Sequence, residues 1–266
     1  RKPPPELGVP AQYFGAVALH AGGKTDEALK VLEPLLVDPP KEINDALVGQ
    51  VFADAQFLTG SCYFEKKDYA KAVAPLQKYL AARPTGDVAG HALSYLAVSY
   101  AALGQFNELR GSLDVLRNKA AKELSLPAIF RVAETCFEAK QYALAADLYT
   151  EVAQKDPQGT LHAKAISGLG WARYQEMKYA PAAQAFAQLV EAHPADPLAA
   201  EASYMRGRAL EADNKPADAA AAYQVALSKY GQSPHAFDAG LQMARVLQKL
   251  GKAPEAIAAY EDVTRR

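Results

Sequence analysis

Ala145, Ala182, Ala219 and Ala256 follow one another at intervals of 37 residues. Carried backwards, the register continues through Leu109, Ala72 and Ala28 at offsets of 36, 37 and 44. A fixed period sustained over seven units constrains the fold more than any local propensity. Each unit is one supersecondary module that cannot bury its apolar faces alone and must stack on its neighbours. Within a unit an apolar-periodic segment leads to a short break carrying Gly or Lys, then to a second periodic segment and a proline, which reads as helix–turn–helix. In the fifth unit Ile166, Leu169, Gly170 and Arg173 share one face of the first helix, and Ala182, Phe186 and Leu189 line the second before Pro194 stops it.

Two twelve-residue spacings add detail. Ala28, Ala72, Ala145 and Ala182 each precede a proline by twelve: Pro40, Pro84, Pro157 and Pro194. A small residue of the first helix lies twelve before each later marker, at Gly60, Ala97, Ala133, Gly170, Gly207 and Ala244. Small residues at such places let two helix axes approach to the short end of the ~8–10 Å range, while a Phe or Tyr one turn later fills the groove beside the crossing. The pattern predicts an all-α fold, a right-handed α-α superhelix of about seven helix–turn–helix repeats over residues 9–266. Residues 1–8, with Pro3-Pro4-Pro5, are expected to form an extended lead-in, and the missing methionine suggests a piece of a longer protein.

Gln56-x-x-Thr59-Gly60-x-x-Tyr63, Ala72-x-x-x-Leu76, Pro84, and Ile166-x-x-Leu169-Gly170-x-x-Arg173, Ala182-x-x-x-Phe186, Pro194 resemble tetratricopeptide repeats, whose usual period is about 34. The leading Trp of that pattern is absent, and Leu109 replaces a small residue in the third unit. The linkers Pro194 to Tyr204 and Tyr230 to Ala239 are similar to those of a bacterial cell-envelope subgroup, which includes the Tol-Pal-associated periplasmic protein and the outer-membrane assembly lipoproteins. The resemblance implies a protein-interaction scaffold in a cell envelope. Chaperone adaptors of this family clamp a C-terminal carboxylate with Lys and Asn; here Tyr13, Val17, Phe57 and Ser61 stand in those places.

Composition narrows the chemistry. With 29 Lys+Arg against 30 Asp+Glu and no long like-charge run, the chain lacks the basic footprint of a nucleic-acid binder. Its apolar runs fall far short of the ~18–20 residues of a spanning helix. Cys62 and Cys136 are too few for a disulfide framework or a zinc site. In units two apart they would lie roughly 15–20 Å from each other, beyond disulfide reach, so both are expected to be free thiols. The five histidines fall in different units with no paired carboxylate or cysteine at catalytic spacing. Gly168-Leu-Gly170 fails as a dinucleotide fingerprint because Arg173 occupies the third glycine position. The reading is of no enzyme, no cofactor and no metal.

In a stack of this kind the first helix of each unit faces the concave side. Projecting those helices selects Phe57, Phe64, Phe130, Phe137, Trp171, Tyr174 and Tyr204, with Glu134, Lys164, Arg208 and Arg245 among them. An aromatic surface on an exposed face marks a binding site. The expected occupant is a protein or peptide segment anchored on Trp171 and Tyr174, with Arg208 and Arg245 meeting its acidic end. Ala256, Ile257, Tyr260 and Val263 form a stripe on the last helix with nothing after it to cover them. That stripe predicts either further repeats or a weak homodimer through the terminal face. Two other roles fit the same residues: an assembly module that associates end to end, and a docking arm of a larger enzyme.

Overall fold

The computed structural model describes residues 5–37, 46–85, 87–119 and 126–265. Among them every regular element is an α-helix, and the fourteen helices pair in chain order. They are α1 (Pro5–Ala21) with α2 (Thr25–Val37), α3 (Ala46–Glu65) with α4 (Tyr69–Ala82), α5 (Asp87–Ala102) with α6 (Phe106–Lys119), α7 (Leu126–Glu138) with α8 (Tyr142–Lys155), α9 (His162–Gln175) with α10 (Tyr179–Ala192), α11 (Pro197–Ala212) with α12 (Pro216–Lys229), and α13 (His235–Lys249) with α14 (Ala253–Arg265). The seven hairpins are the seven expected repeats. Pro5 already opens α1, so residues 5–8 are helical where an extended lead-in was expected: proline is tolerated in a first helical turn, where its missing N–H has no partner to lose. Residues 1–4 and the expected stop at Pro40 lie outside the described residues.

The chain divides into two compact units, Arg1–Ala128 and Ile129–Arg266, where the repeat register alone predicts one continuous solenoid. In the first, each helix packs on the next and first helices also pack on first helices, α1 on α3 and α3 on α5. The second repeats the scheme, with α9 on α11 and α11 on α13. All seven markers, Ala28 through Ala256, are buried. The small residues twelve before them are the helix crossings. A Cβ on Gly60 would stand 2.6 Å from Leu76 Cγ, one on Gly170 2.6 Å from Phe186 Cε1, and one on Gly207 2.4 Å from Tyr223 Cδ1. Phe186 and Tyr223 are fully buried, so the bare glycine backbone is the floor on which each ring rests.

What turns each hairpin is a residue with positive φ, at 23, 67, 104, 140, 177, 214 and 251, in the register of the markers themselves. In the fifth repeat the Met177 N–H donates to Tyr174 C=O and the Lys178 N–H to Arg173 C=O, both at 2.9 Å. The same pair of bonds recurs in all seven hairpins, and it is the Schellman arrangement that satisfies the last carbonyls of a helix. Glycine supplies the left-handed residue three times; Lys67, Lys140, Met177 and Asn214 supply it elsewhere. Pro84, Pro157 and Pro194 each follow two residues after the last helical one.

At the end of the second unit the expected open stripe is mostly used within its own repeat. Ala256 and Val263 are buried, and Val263 packs where Gly240 leaves room. Tyr260 donates its hydroxyl to Gln248 Oε1 at 3.4 Å. Ile257 alone is well exposed, at 58%.

Candidate functional site

Helix α7 carries two stripes. Ile129, Val132, Ala133 and Cys136 are buried, which leaves Phe130, Glu134 and Phe137, spaced four and three apart, on the opposite face. On α9 the residues Lys164, Ser167, Gly168, Trp171 and Gln175 repeat the same spacing. These two faces, with Thr160 ahead of α9 and Asp196, Pro197 and Leu198 entering α11, wall a groove of about 1020 Å³ in the second unit. Five of the eleven expected site residues therefore meet in one place: Phe130, Glu134, Phe137, Lys164 and Trp171.

The floor is Tyr149, which comes from α8 and is only 4% exposed. Its ring meets Phe130 edge-on at 5.6 Å between centroids. It can lie there because Gly168 has no side chain: a Cβ at that position would stand 2.6 Å from Tyr149 Cζ. Trp171 is half-buried, with its ring edge-to-face against Tyr174 at 6.2 Å and against the core ring of Phe186 at 6.1 Å. It is thus fixed at its base and open at its rim. Phe137 is likewise half-buried against Tyr142 at 5.4 Å. Burial and the Glu138 carboxylate one turn on push the Glu134 carboxyl above the usual carboxylate range, against the pull of Lys164 and Arg131. A groove of this kind offers largely apolar walls with the Glu134 and Asp196 carboxylates and the Lys164 ammonium among its lining, Asp196 being engaged by the Leu198 N–H.

The remaining expected residues separate. Tyr174 and Arg208 line an adjoining recess of about 350 Å³ with Glu211, Ala212 and Gln242. Glu211 is already engaged by the Tyr223 hydroxyl at 3.2 Å and by Lys249 at 3.3 Å. Arg208 donates to the Tyr204 hydroxyl at 3.2 Å and makes no ion pair with a carboxylate among the described residues. Tyr204 is less open than its helix position implies, because His235 stacks on it at 5.9 Å and Tyr223 tilts against it at the same distance. Arg245 is exposed on α13 and lines neither recess.

Phe57 and Phe64 belong to the first unit and do not join the groove. Phe64 is 8% exposed, stacked on Tyr95 at 4.3 Å and edge-on to Tyr69 at 5.7 Å. Phe57 leans on Tyr79 at 5.3 Å and lies parallel to Tyr95 at 6.2 Å. Their helical positions match those of Phe130 and Phe137, but Tyr95 of the next hairpin fills the space, so these rings serve packing between repeats.

Reactive groups are few. Both cysteines are free and buried, and burial pushes each thiol up to about 12. The histidines, expected in different units without a paired carboxylate, depart from that expectation, because His162 and His193 both belong to the fifth repeat and His20 has a carboxylate partner. His20 meets Glu65 at 2.9 Å, and His162 Nδ1 lies 2.7 Å from His193 Nε2. Among the described residues no cluster of three or more His, Cys, Asp or Glu is placed to hold a metal ion, and no helix is long and apolar enough to cross a membrane.

A tetratricopeptide-repeat family model matches residues 16–87 and 168–234, and a second model of the same description matches residues 238–266. No curated protein sequence matches the chain. Among solved structures, the C-terminal part of a repeat protein of this kind from Cytophaga hutchinsonii is similar with a TM-score of 0.57 and 16% identity, over 94% of this chain and 93% of that one. A tetratricopeptide repeat protein from Parabacteroides merdae gives a TM-score of 0.53 and 12% identity, over 97% and 92%. At such identities the likeness is one of fold. With the glycine crossings at Gly60, Gly170 and Gly207, the seven Schellman turns and the matched repeats together, the chain belongs to the tetratricopeptide-repeat family, whose members bind protein partners.

Proposed function

We propose that this protein is a non-catalytic interaction scaffold that holds a partner segment in the aromatic groove of its second unit. The observation that carries the reading is the convergence of Phe130, Phe137 and Trp171 on one open groove, each ring packed against a neighbouring ring and still part-exposed. Apolar walls with a few placed polar groups are the usual character of a recognition site. The segment rests on Trp171 and Tyr174, and its acidic end meets Arg208, whose guanidinium pairs with no carboxylate among the described residues, with Arg245 beyond it. The cell envelope is the proposed setting, on the strength of the linker resemblance.

The energies limit how tightly such a segment is held. Three rings bury ~150–250 Å² each when fully covered. With about half of that exposed beforehand, ~25 cal/mol/Å² yields roughly 6–9 kcal/mol gross, against an association cost of ~4–15 kcal/mol. The contact is therefore micromolar or weaker unless polar pairs or avidity add to it, as suits an exchanging scaffold.

Trp171 is the sole tryptophan of the chain, so tryptophan emission reports on the fifth repeat and the groove it walls. Peptides selected from a random displayed library against the intact chain are expected to carry bulky apolar residues with Asp or Glu, to shift Trp171 emission, and to weaken on Arg208→Gln. Selected peptides that bind without moving that emission would place the working surface elsewhere and overturn the reading.

A further inference from the structure

His162 is the first residue of α9 and His193 follows the last residue of α10, so the two rings meet across the open end of one hairpin, 31 positions apart in sequence. His162 is buried, and its Nδ1 lies 2.7 Å from His193 Nε2 with the ring planes at 67°. A hydrogen bond between two imidazoles needs one nitrogen to donate and the other to accept. The pair therefore holds at pH values where at least one ring is neutral, and two imidazolium rings at that distance repel.

Each histidine is also a backbone node of a turn that walls the groove. The His162 N–H donates to Gly159 C=O at 3.1 Å, closing the turn that carries Thr160. The His193 C=O accepts from the Asp196 N–H at 3.0 Å, and Asp196 Oδ1 accepts from the Leu198 N–H at 2.8 Å. Thr160 and Lys164 on one side, and Asp196, Pro197 and Leu198 on the other, form one end of the groove. The histidine contact is thus a side-chain tie between the two segments at that end of the groove. We infer that the His162–His193 pair is a pH-sensitive latch: with both rings protonated the two turns part, and the groove of the proposed function loosens at its α11 end.

The titratable groups beside the pair are Asp156, which acts on His162, Lys164 in the first turn of α9, Glu191 and Asp196 flanking His193 in the chain, Glu201 as the first ionisable residue of α11, and Tyr230 after α12, whose hydroxyl donates to Pro194 C=O at 3.1 Å. Burial is the main influence on His162 and favours its neutral form; His193 acts in the same direction, and Asp156 opposes both. The His162 imidazole accordingly lies below the ordinary histidine range. A group that binds its proton more weakly in the folded than in the unfolded chain contributes stability at high pH, and loses it as pH falls through the imidazole range. The latch is closed near neutral pH and opens on acidification.

The inference rests on the proposed groove, but its readout needs no partner, so it succeeds or fails separately from peptide binding. On the intact chain, acrylamide quenching of Trp171 is followed from pH 8 to pH 5, with far-ultraviolet circular dichroism as the check on helicity. Wild type is expected to become more quenchable on acidification while helicity holds. His162→Gln and His193→Gln keep a hydrogen-bonding side chain without a titrating ring and are expected to lose the step, whereas His235→Gln keeps it. A flat wild-type profile, or a step that survives His193→Gln, would overturn the latch. Should either variant fold poorly, ring-nitrogen chemical shifts of the wild type decide. Two coupled titrations are expected, and two independent ones would refute the pairing.

Discussion

Glycine-to-alanine substitution should have opposite signs at two kinds of helical glycine in this chain. Alanine gains about 1 kcal/mol over glycine in a helix interior wherever there is room. At Gly111, inside α6, nothing lies within 4 Å of the position a Cβ would take, so Gly111→Ala should stabilise by about that amount. At Gly170, inside α9, the same methyl would meet three ring carbons of Phe186 at 2.6, 2.8 and 2.9 Å. That ring is fully buried and has nowhere to retreat. Overpacking of this kind costs about 1–3 kcal/mol, which leaves Gly170→Ala between neutral and about 2 kcal/mol destabilised, a gap of about 1–3 kcal/mol from Gly111→Ala. Gly207→Ala should follow Gly170→Ala, because its Cβ would stand 2.4 Å from two carbons of Tyr223. Urea titrations followed by circular dichroism, with Trp171 emission as a local probe of the fifth repeat, would measure all three. Adding Phe186→Leu should relieve part of the Gly170→Ala cost, appearing as a coupling energy in a double-mutant cycle. If Gly170→Ala stabilised as much as Gly111→Ala, the glycines would not be the points where the helices touch.

Three further outcomes follow from the same geometry. Met177 holds φ 59 in its Schellman turn and is 74% exposed, so Met177→Gly removes a left-handed penalty of about 1–2 kcal/mol at the cost of some unfolded-chain freedom. Melting of that variant should rise by about 0.5–1 kcal/mol equivalent, and a fall would show that the turn is not strained. Cys62 and Cys136, with thiols pushed up to about 12 by burial, should resist a thiol reagent at pH 8 and react fully in denaturant. Labelling of the native chain at the rate of a free thiol would contradict their burial. Trp171→Ala should cost less stability than Phe186→Ala, because Trp171 is half-buried and Phe186 fully so; equal losses by thermal melts would move Trp171 from the groove into the core.

The fold was legible because its grammar is periodic. Small residues at Gly60, Gly170 and Gly207 and the large side chains sixteen positions later, Leu76, Phe186 and Tyr223, are visible in one dimension, and the structure makes them contacts. The left-handed turns were less so: glycine announces three of them, but Lys67, Lys140 and Met177 carry no such signal. They adopt the conformation because the surrounding repeat fixes the turn. For the candidate groove, the α7 and α9 faces followed from helical spacing, which placed Phe130, Glu134, Phe137, Lys164 and Trp171 together. Tyr149 was missed since it comes from a second helix and enters only where Gly168 lets it. The extra glycine of Gly168-Leu-Gly170 was the available signal. Phe64 was overcounted because its spacing is that of a groove residue while Tyr95, from the next hairpin, covers it. His162 and His193 escaped notice because residues 31 apart meet only once the hairpin closes.

The central claim is that the groove walled by α7, α9 and the start of α11 is the working surface. It is tested most directly by affinity capture from a bacterial lysate with solubilised envelope, comparing wild type with a Phe137→Ala/Trp171→Ala/Tyr174→Ala variant of verified helicity. A partner retained by wild type and lost by the variant is the predicted result. A partner retained equally by both would contradict it and move binding to another face of the molecule.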